Sequence, residues 1–91
     1  MTAEKILEIV EVYRKFFEER HIKKIDYPHD KLLMSKIEGL RHCHGMLDKI
    51  VEFVREGKKE KACRWLGFIQ GYLWGQGIYT LNNLKNHNRP D

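Results

Sequence analysis

The chain has 91 residues, a formal net charge of +4 and charged side chains at 33% of its positions, which fits one soluble globular domain with a thin core. No apolar run approaches the roughly 20 residues that a membrane-spanning helix needs. The acidic residues near the N-terminus do not resemble a signal peptide. Two cysteines without CxxC spacing, Cys43 and Cys63, indicate buried thiols in a reducing compartment. We therefore expect a single cytoplasmic domain over residues 1–91 that does not associate with membranes.

The positive charge is concentrated in the last third of the chain. Acids and bases balance over residues 1–57, whereas residues 58–91 contain six Lys/Arg against Glu60 and Asp91. A local positive field of this kind would attract an anionic partner. The alternative is an ordinary solvated face.

The first predicted helix begins after Thr2, a suitable N-cap, with Glu4 in the first turn, where the helix dipole favours an acid. Apolar residues then recur at three- and four-residue steps: Ile6, Ile9, Val10, Tyr13, Phe16 and Phe17. A stripe with this period predicts an amphipathic helix over residues 3–21.

Pro28 interrupts the pattern, because the residue before a proline avoids the helical region and proline itself can open a helix. A heptad seam follows: Leu33, Ile37, Leu40, His44, Leu47, Val51 and Val54. This seam predicts a long second helix over residues 30–56. Gly57 suits the C′ position that follows such a helix.

The connection after Gly57 is short, so a third helix over residues 59–75 should fold back antiparallel on the second. Its core stripe is expected to consist of Ala62, Trp65, Leu66, Ile69, Tyr72 and Leu73. Thr80 is a suitable N-cap for a short fourth helix over residues 81–87. The sequence thus predicts an all-α fold, a small bundle of three main helices and a short C-terminal helix around a central antiparallel hairpin. Because a chain of this length buries little apolar surface, we also expect a homo-oligomer, assembled through the second or third helix.

Gly67, Gly71 and Gly75 fall at i, i+4 and i+8 in the third predicted helix and form one smooth stripe. Each mid-helix glycine costs about 0.5–1 kcal/mol relative to alanine, so we expect a surface to lie against the stripe. That surface is either a neighbouring helix that approaches closely or a bound ligand or partner.

Arg64, Gln70 and Trp74 lie beside the glycine stripe, and Tyr79 follows it. A guanidinium, an amide and an aromatic plane at helical spacing suit stacking on a base with a phosphate contact, or a protein interface. With Gly67 and Gly71 as well, these are candidate ligand- or partner-binding residues. The alternative makes Trp74 a core residue and Gln70 its hydrogen-bonded neighbour.

A basic patch surrounds the predicted turn between the second and third helices: Arg55, Lys58, Lys59, Lys61 and Arg64. These side chains could contact phosphates, with Trp74 or Tyr79 stacking on bases, as in a small nucleic-acid-binding module. The charge is modest, and neither helix-turn-helix nor zinc spacing is visible.

His44 occupies a seam position of the second helix. A histidine there needs a hydrogen-bond partner, since a buried unpaired group costs about 1–3 kcal/mol. It is either a satisfied core histidine or a ligand contact or pH-sensitive joint. His42, Cys43 and His44 cannot converge on one metal ion from a helix, because neighbouring side chains point about 100° apart.

Catalytic signatures are not apparent. Both cysteines lie within apolar-periodic helices, the usual place for an inert thiol, and Ser35 has no obvious base. There is no phosphate-binding loop or dinucleotide fingerprint. We expect a protein that is not an enzyme and that needs neither a cofactor nor a metal.

The stretch RWLGFIQGYLWGQGIYTLNNLKNHNRP (64–90), with the preceding HCHGMLDKIVEFVREGKKEKA (42–62), resembles small uncharacterised proteins of tailed bacteriophages and prophages. The resemblance covers about the last half of the chain. It implies a phage accessory protein in the host cytoplasm, although no activity is established for such proteins. Small phage accessory proteins commonly occlude host proteins or trap small signalling molecules, an argument by analogy.

Taken together, these observations predict a phage accessory protein that acts by binding. Its target would be a host defence or regulatory protein, which it would inhibit, or an anionic nucleotide signal, which it would sequester. The alternatives are the nucleic-acid-binding module and a structural subunit of a phage assembly.

Overall fold

The computed structural model of the chain describes residues 1–90. Over these residues it contains four helices and no strand: α1 (Ala3–Glu19), α2 (Lys36–Arg55), α3 (Lys59–Gly75) and α4 (Leu81–Asn88). The predicted all-α fold with four helices is therefore confirmed. None of the four helices combines the length and the apolar character that crossing a bilayer requires.

Local signals account for the ends of most helices. The Thr2 and Thr80 hydroxyls accept hydrogen bonds from the backbone N–H groups of Lys5 and Asn83, at 3.1 and 3.0 Å. Asn83 in turn accepts from the Thr80 N–H, which completes a capping box at the start of α4. Both predicted N-caps are confirmed.

The three long helices end in the same way. The residue after each C-cap has a positive φ, and the next N–H turns back to a carbonyl five residues earlier, which defines the Schellman motif. Gly57 after α2 and Gly77 after α3 adopt this conformation without strain. After α1 the position is held by His21 at φ 55°, and α1 ends at Glu19, two residues before the predicted end.

The start of α2 differs from the prediction. The helix begins at Lys36 rather than at residue 30, with Ser35 as its extended N-cap. Leu32 and Met34 are 91% and 84% exposed, so a helix over these residues would have nothing to pack against. An apolar period alone does not stabilise a helix, because most helical stability in proteins comes from packing. The seam position Leu33 therefore lies outside the helix, in the connection between α1 and α2.

The core lies between α1, α2 and α3. Its largest fully buried side chains come from all three helices: Ile6, Ile9, Val10, Tyr13, Phe17, Cys43, Leu47, Ile50, Leu66, Ile69 and Leu73. The Tyr72 hydroxyl near the end of α3 donates to the Lys36 carbonyl at the start of α2, at 2.9 Å. Phe53, late in α2, packs edge-to-face on Trp65, early in α3.

One glycine of α2 permits the close contact with α3. A Cβ at position 39 would overlap the phenol ring of Tyr72, so the absence of a side chain at Gly39 is what admits that ring. Close approach through a missing side chain, which the sequence predicts at the α3 stripe, is found here instead.

The connection over residues 20–35 runs along α2 before the chain enters that helix. Its carbonyl at Ile22 accepts from His44, its N–H at Ile25 donates to the Arg41 carbonyl, and its N–H at Tyr27 donates to His42. These bonds hold an extended segment against one side of α2, where it forms the wall of a groove.

Candidate functional site

The glycine stripe of α3 lies on the surface. A Cβ at Gly67, Gly71 or Gly75 would meet no atom within 4 Å, so the prediction that a neighbouring helix of the same chain covers the stripe is wrong. Phe68 and Trp74 flank the glycines and are 58% and 52% exposed. The opposite side of α3 is taken by the core. We call the exposed surface formed by Gly67, Phe68, Gly71, Trp74 and Gly75 the α3 face.

The α3 face has a symmetric pattern. Counting outward from Gly71, an aromatic residue stands three positions away on each side (Phe68 and Trp74), and a glycine four positions away (Gly67 and Gly75). Residues three and four apart share one side of a helix. The face is therefore a smooth central strip with one large ring on either flank. Its pattern of glycine and aromatic residues is the same in both chain directions.

The predicted site residues Arg64 and Trp74 lie too far apart on α3 to contact one small ligand. Arg64 and Trp74 are both exposed, but ten residues of helix separate them by about 15 Å along the axis. Gln70 points inward and is 8% exposed. The predicted combination of guanidinium, amide and aromatic plane is thus not assembled, because the helical turn places the amide on the buried side.

Gln70 instead belongs to a polar network that fastens α4 to the bundle. Its Nε2 donates to the Tyr13 hydroxyl at 3.0 Å and to Asn88 Oδ1 at 2.7 Å, while Asn88 Nδ2 donates back to Gln70 Oε1 at 3.1 Å. Burial raises the pKa of Tyr13 to about 12. The alternative that made Gln70 a hydrogen-bonded structural residue is therefore correct, whereas its companion, a buried Trp74, is wrong.

Tyr79 is mainly a packing residue. Its ring lies 5.8 Å from Tyr13, 5.8 Å from Phe16 and 4.8 Å from His87, centroid to centroid. Together with Trp74 it lines a shallow surface depression of about 560 Å³ at the junction of α3 and α4. The depression is open to solvent and contains a single cation, Lys85.

His44 is buried between α2 and the connection. Its Nδ1–H donates to the Ile22 carbonyl at 2.7 Å, and its ring stacks on Phe17 with centroids 5.0 Å apart. Nε2 is buried and has no hydrogen-bond partner within the described part of the chain. Desolvation lowers the pKa of His44, and the positive charges of Lys24 and Arg14 act in the same direction. His44 is therefore a structural joint, held neutral.

The neighbouring side chains diverge as predicted from helical geometry. His42 faces the connection and accepts from the Tyr27 N–H at 3.2 Å, whereas Cys43 is buried in the core. Burial raises the pKa of the Cys43 thiol to about 12. A thiol in this environment is a poor nucleophile.

The basic patch lies at the turn between α2 and α3. Arg55, Lys58 and Lys59 are exposed there, and Lys58 pairs with Glu56 at 2.9 Å. Fifteen residues of helix separate Lys59 from Trp74, about 22 Å along the axis. Trp74 therefore does not lie beside this patch.

A groove that the sequence reasoning missed adjoins the α3 face along its Phe68 flank. It has a volume of about 800 Å³ and is formed by the connection, α2 and the first half of α3. Its lining contains four aromatic residues, Tyr27, Phe53, Trp65 and Phe68. Three lysines, two histidines and one acid complete its polar lining: Lys31, Lys49, Lys61, His29, His42 and Asp26.

The charges of the groove are unevenly balanced. The Asp26 carboxylate lies 3.5 Å from His29 Nε2 and 3.7 Å from His42 Nδ1. The Lys61 ammonium stands 4.5 Å from the centroid of the Phe53 ring. The sequence signal for this site was weak, because its lysines and aromatics come from three segments whose proximity depends on the path of residues 20–35.

No family model matches the chain, and no curated protein or solved structure shows a significant similarity to it. The two surface features that bear on function are the α3 face and the groove.

Proposed function

We propose that this protein is a non-enzymatic binding protein that works as a two-fold dimer joined through its α3 faces. The observation that carries the proposal is the symmetric, exposed pattern around Gly71. A two-fold interface uses the same patch on both subunits, so residue i must fit residue j and j must fit i. In an antiparallel pair centred on Gly71, Phe68 faces Trp74 of the other copy and Gly67 faces Gly75.

Energetics favour the same arrangement. The exposed glycines are unfavourable for α3 by itself, but they let two helix backbones approach closely. Each copy would also remove two half-exposed aromatic rings from water, and aromatic pairs add about 0.5–1.5 kcal/mol beyond their buried area. Antiparallel packing places the basic N-terminal half of one α3 beside the C-terminal half of the other, whose last turn contains no basic residue.

Sedimentation equilibrium tests the dimer. We expect twice the 10.9 kDa chain mass for the wild type and the single chain mass for Trp74→Ala, with both proteins folded by circular dichroism. Val12→Ala, which truncates an exposed apolar residue of α1, should remain dimeric. A monomeric wild type at hundreds of micromolar would refute the proposal.

Cysteine cross-linking tests the geometry. In a Cys63→Ser background, Gly71→Cys should form an intermolecular disulfide readily, because the two copies of residue 71 meet at the axis within the Cα separation of about 4.4–6.8 Å that a disulfide needs. Arg64→Cys should not, since its two copies would lie about 21 Å apart along the helices. Equal cross-linking at both positions would indicate a parallel pair and contradict the antiparallel one.

In the phage setting that the resemblance implies, such a dimer would act in the host cytoplasm by binding. It would inhibit a host defence or regulatory protein or sequester an anionic nucleotide. The alternative of a nucleic-acid-binding module is supported only by the exposed lysines and arginine at the turn between α2 and α3. Gel shifts at low and moderate salt separate the two, because phosphate-dominated binding weakens steeply as salt rises.

A further inference from the structure

From the groove between the connection, α2 and α3, we infer a binding site for a nucleoside phosphate. The inference develops the nucleotide-binding role proposed above, and its surface shares only Phe68 with the α3 face of the proposed dimer. A volume of about 800 Å³ lies within the range of about 300–1,000 Å³ that is usual for small-molecule sites.

The aromatic lining suits the base of such a ligand. Phe53 and Trp65 pack edge-to-face with centroids 4.9 Å apart, and Tyr27 stands across the groove on the connection. Every nucleobase has a flat face that can stack on an aromatic ring, so an aromatic wall can bind any of the bases with little selectivity among them. Met46 adds an apolar surface that is nearly buried.

The cations suit the phosphates. Lys31, Lys49 and Lys61 come from the connection, α2 and α3 respectively, and none of them forms an ion pair with an acid of residues 1–90. Asp26 is the single acid of the lining, and its carboxylate lies beside two imidazoles. Lysine is a compact charge that commonly binds phosphate. Charge complementarity therefore favours a polyanion over a neutral ligand.

The groove owes its shape to the tether between the connection and α2. The Tyr27 N–H donates to His42 Nδ1 at 3.2 Å, and the Ile25 N–H donates to the Arg41 carbonyl at 3.2 Å. These bonds hold Tyr27 and Lys31 on the same side as the aromatic pair of α2 and α3. A site held in place before the ligand arrives loses less entropy on binding.

Titration calorimetry on the full chain tests the site with four probes: ATP, GTP, inorganic triphosphate and decanoate. We expect ATP or GTP to bind once per chain, at least about tenfold more tightly than inorganic triphosphate, because only the nucleotides have a base that can stack on the aromatic wall. Stronger binding of triphosphate or decanoate than of both nucleotides would overturn the inference, and so would no binding of either nucleotide at millimolar concentration.

Matched variants locate the binding. Lys49→Gln with Lys61→Gln should weaken nucleotide binding about tenfold or more. Lys15→Gln with Lys23→Gln removes the same number of charges outside the groove. This control should change the affinity for nucleotide less than threefold. Equal losses in the two double variants would show general charge attraction and refute a site.

Nuclear magnetic resonance separates this site from the dimer. The chain has two tryptophans, so the indole N–H signal of Trp65 should shift on adding nucleotide, and by more than that of Trp74, which does not line the groove. Trp74→Ala should bind nucleotide as the wild type does, because Trp74 does not line the groove. Phe68 belongs to both surfaces and is left unchanged in either test. A shift confined to Trp74 would place the ligand elsewhere and refute the inference.

Discussion

The Tyr13 hydroxyl lies 2.9 Å from Nδ1 of His87, although the two residues stand 74 positions apart in the chain. The hydroxyl accepts from Gln70 and so donates to the imidazole, which burial keeps neutral by lowering the pKa of His87. With the amide pair of Gln70 and Asn88, this chain of hydrogen bonds holds α4 against α1 and α3. Four polar side chains thus perform the attachment for which the short α4, with Leu84 as its one buried residue, has too little apolar surface.

Tyr13→Phe tests that attachment. The substitution leaves one proton of Gln70 and the His87 Nδ1 without their partner, and we expect a loss of about 1–3 kcal/mol in the free energy of unfolding, measured by urea denaturation. Tyr27→Phe is the matched control, because its hydroxyl has only a long contact of 3.5 Å, to Arg41. A loss for Tyr13→Phe no larger than that for Tyr27→Phe would contradict the role of the network.

The stability of the protein should fall in mild acid. Because the folded state lowers the pKa of His44 and His87 below the ordinary 6.5, the unfolded chain binds more protons as the pH drops. The two neutral histidines contribute their full stabilisation above about pH 6.5. This stabilisation is lost as the pH falls through the pKa values that His44 and His87 have in the folded state. Urea unfolding at pH 7.5 and 5.0 measures this difference. The hydrogen bond from Arg14 lowers the pKa of the Asp48 carboxyl. Protonation of Asp48 should therefore reduce the stability further at lower pH.

His44→Gln should reduce the loss of stability between pH 7.5 and 5.0, because the substitution removes the titrating group with its unpaired Nε2. His44→Gln with His87→Gln should reduce the loss further. If the wild type were as stable at pH 5.0 as at pH 7.5, the assignment of both histidines as neutral joints would be incorrect.

The glycines of α2 and α3 should respond to alanine with opposite signs. Gly39→Ala forces the Tyr72 ring to move away from α2 and should cost about 1–3 kcal/mol of stability, as overpacking does. Gly67→Ala places a methyl group in open space and should stabilise the isolated chain by about 0.5–1 kcal/mol.

Thermal and urea unfolding at low micromolar concentration measure both glycine effects on the monomer. In a Tyr72→Ala background the cost of Gly39→Ala should disappear, since the overlapping ring is gone. A persistent cost would place the strain elsewhere in α2.

The two cysteines should differ in reactivity. Burial raises the pKa of Cys43 to about 12, so a thiol reagent should label Cys43 only when the protein unfolds, whereas the half-buried Cys63 should react in the native state. Mass spectrometry of native and urea-treated samples counts the labels. Cys63→Ser should abolish native labelling, and rapid labelling of that variant would contradict the burial of Cys43.

The sequence by itself determined the helical class, the caps at Thr2 and Thr80, and the turn at Gly57. Each of these depends on residues within four or five positions of one another, where the hydrogen-bond pattern of a helix end leaves few choices. The extent of α2 was not decided locally, because Leu33 continues the heptad period but its neighbours Leu32 and Met34 are exposed and have nothing to pack against.

Only the tertiary structure decided which glycines meet a neighbour, and where Gln70 and Trp74 point. It also brought Lys31, Lys49 and Lys61 together around an aromatic groove. These outcomes depend on how α1, α2 and the connection share the sides of α3, and such long-range packing leaves no regular spacing in the chain. Gly71 and Gly39 both lie inside helices, and they differ because a ring from another helix reaches only Gly39.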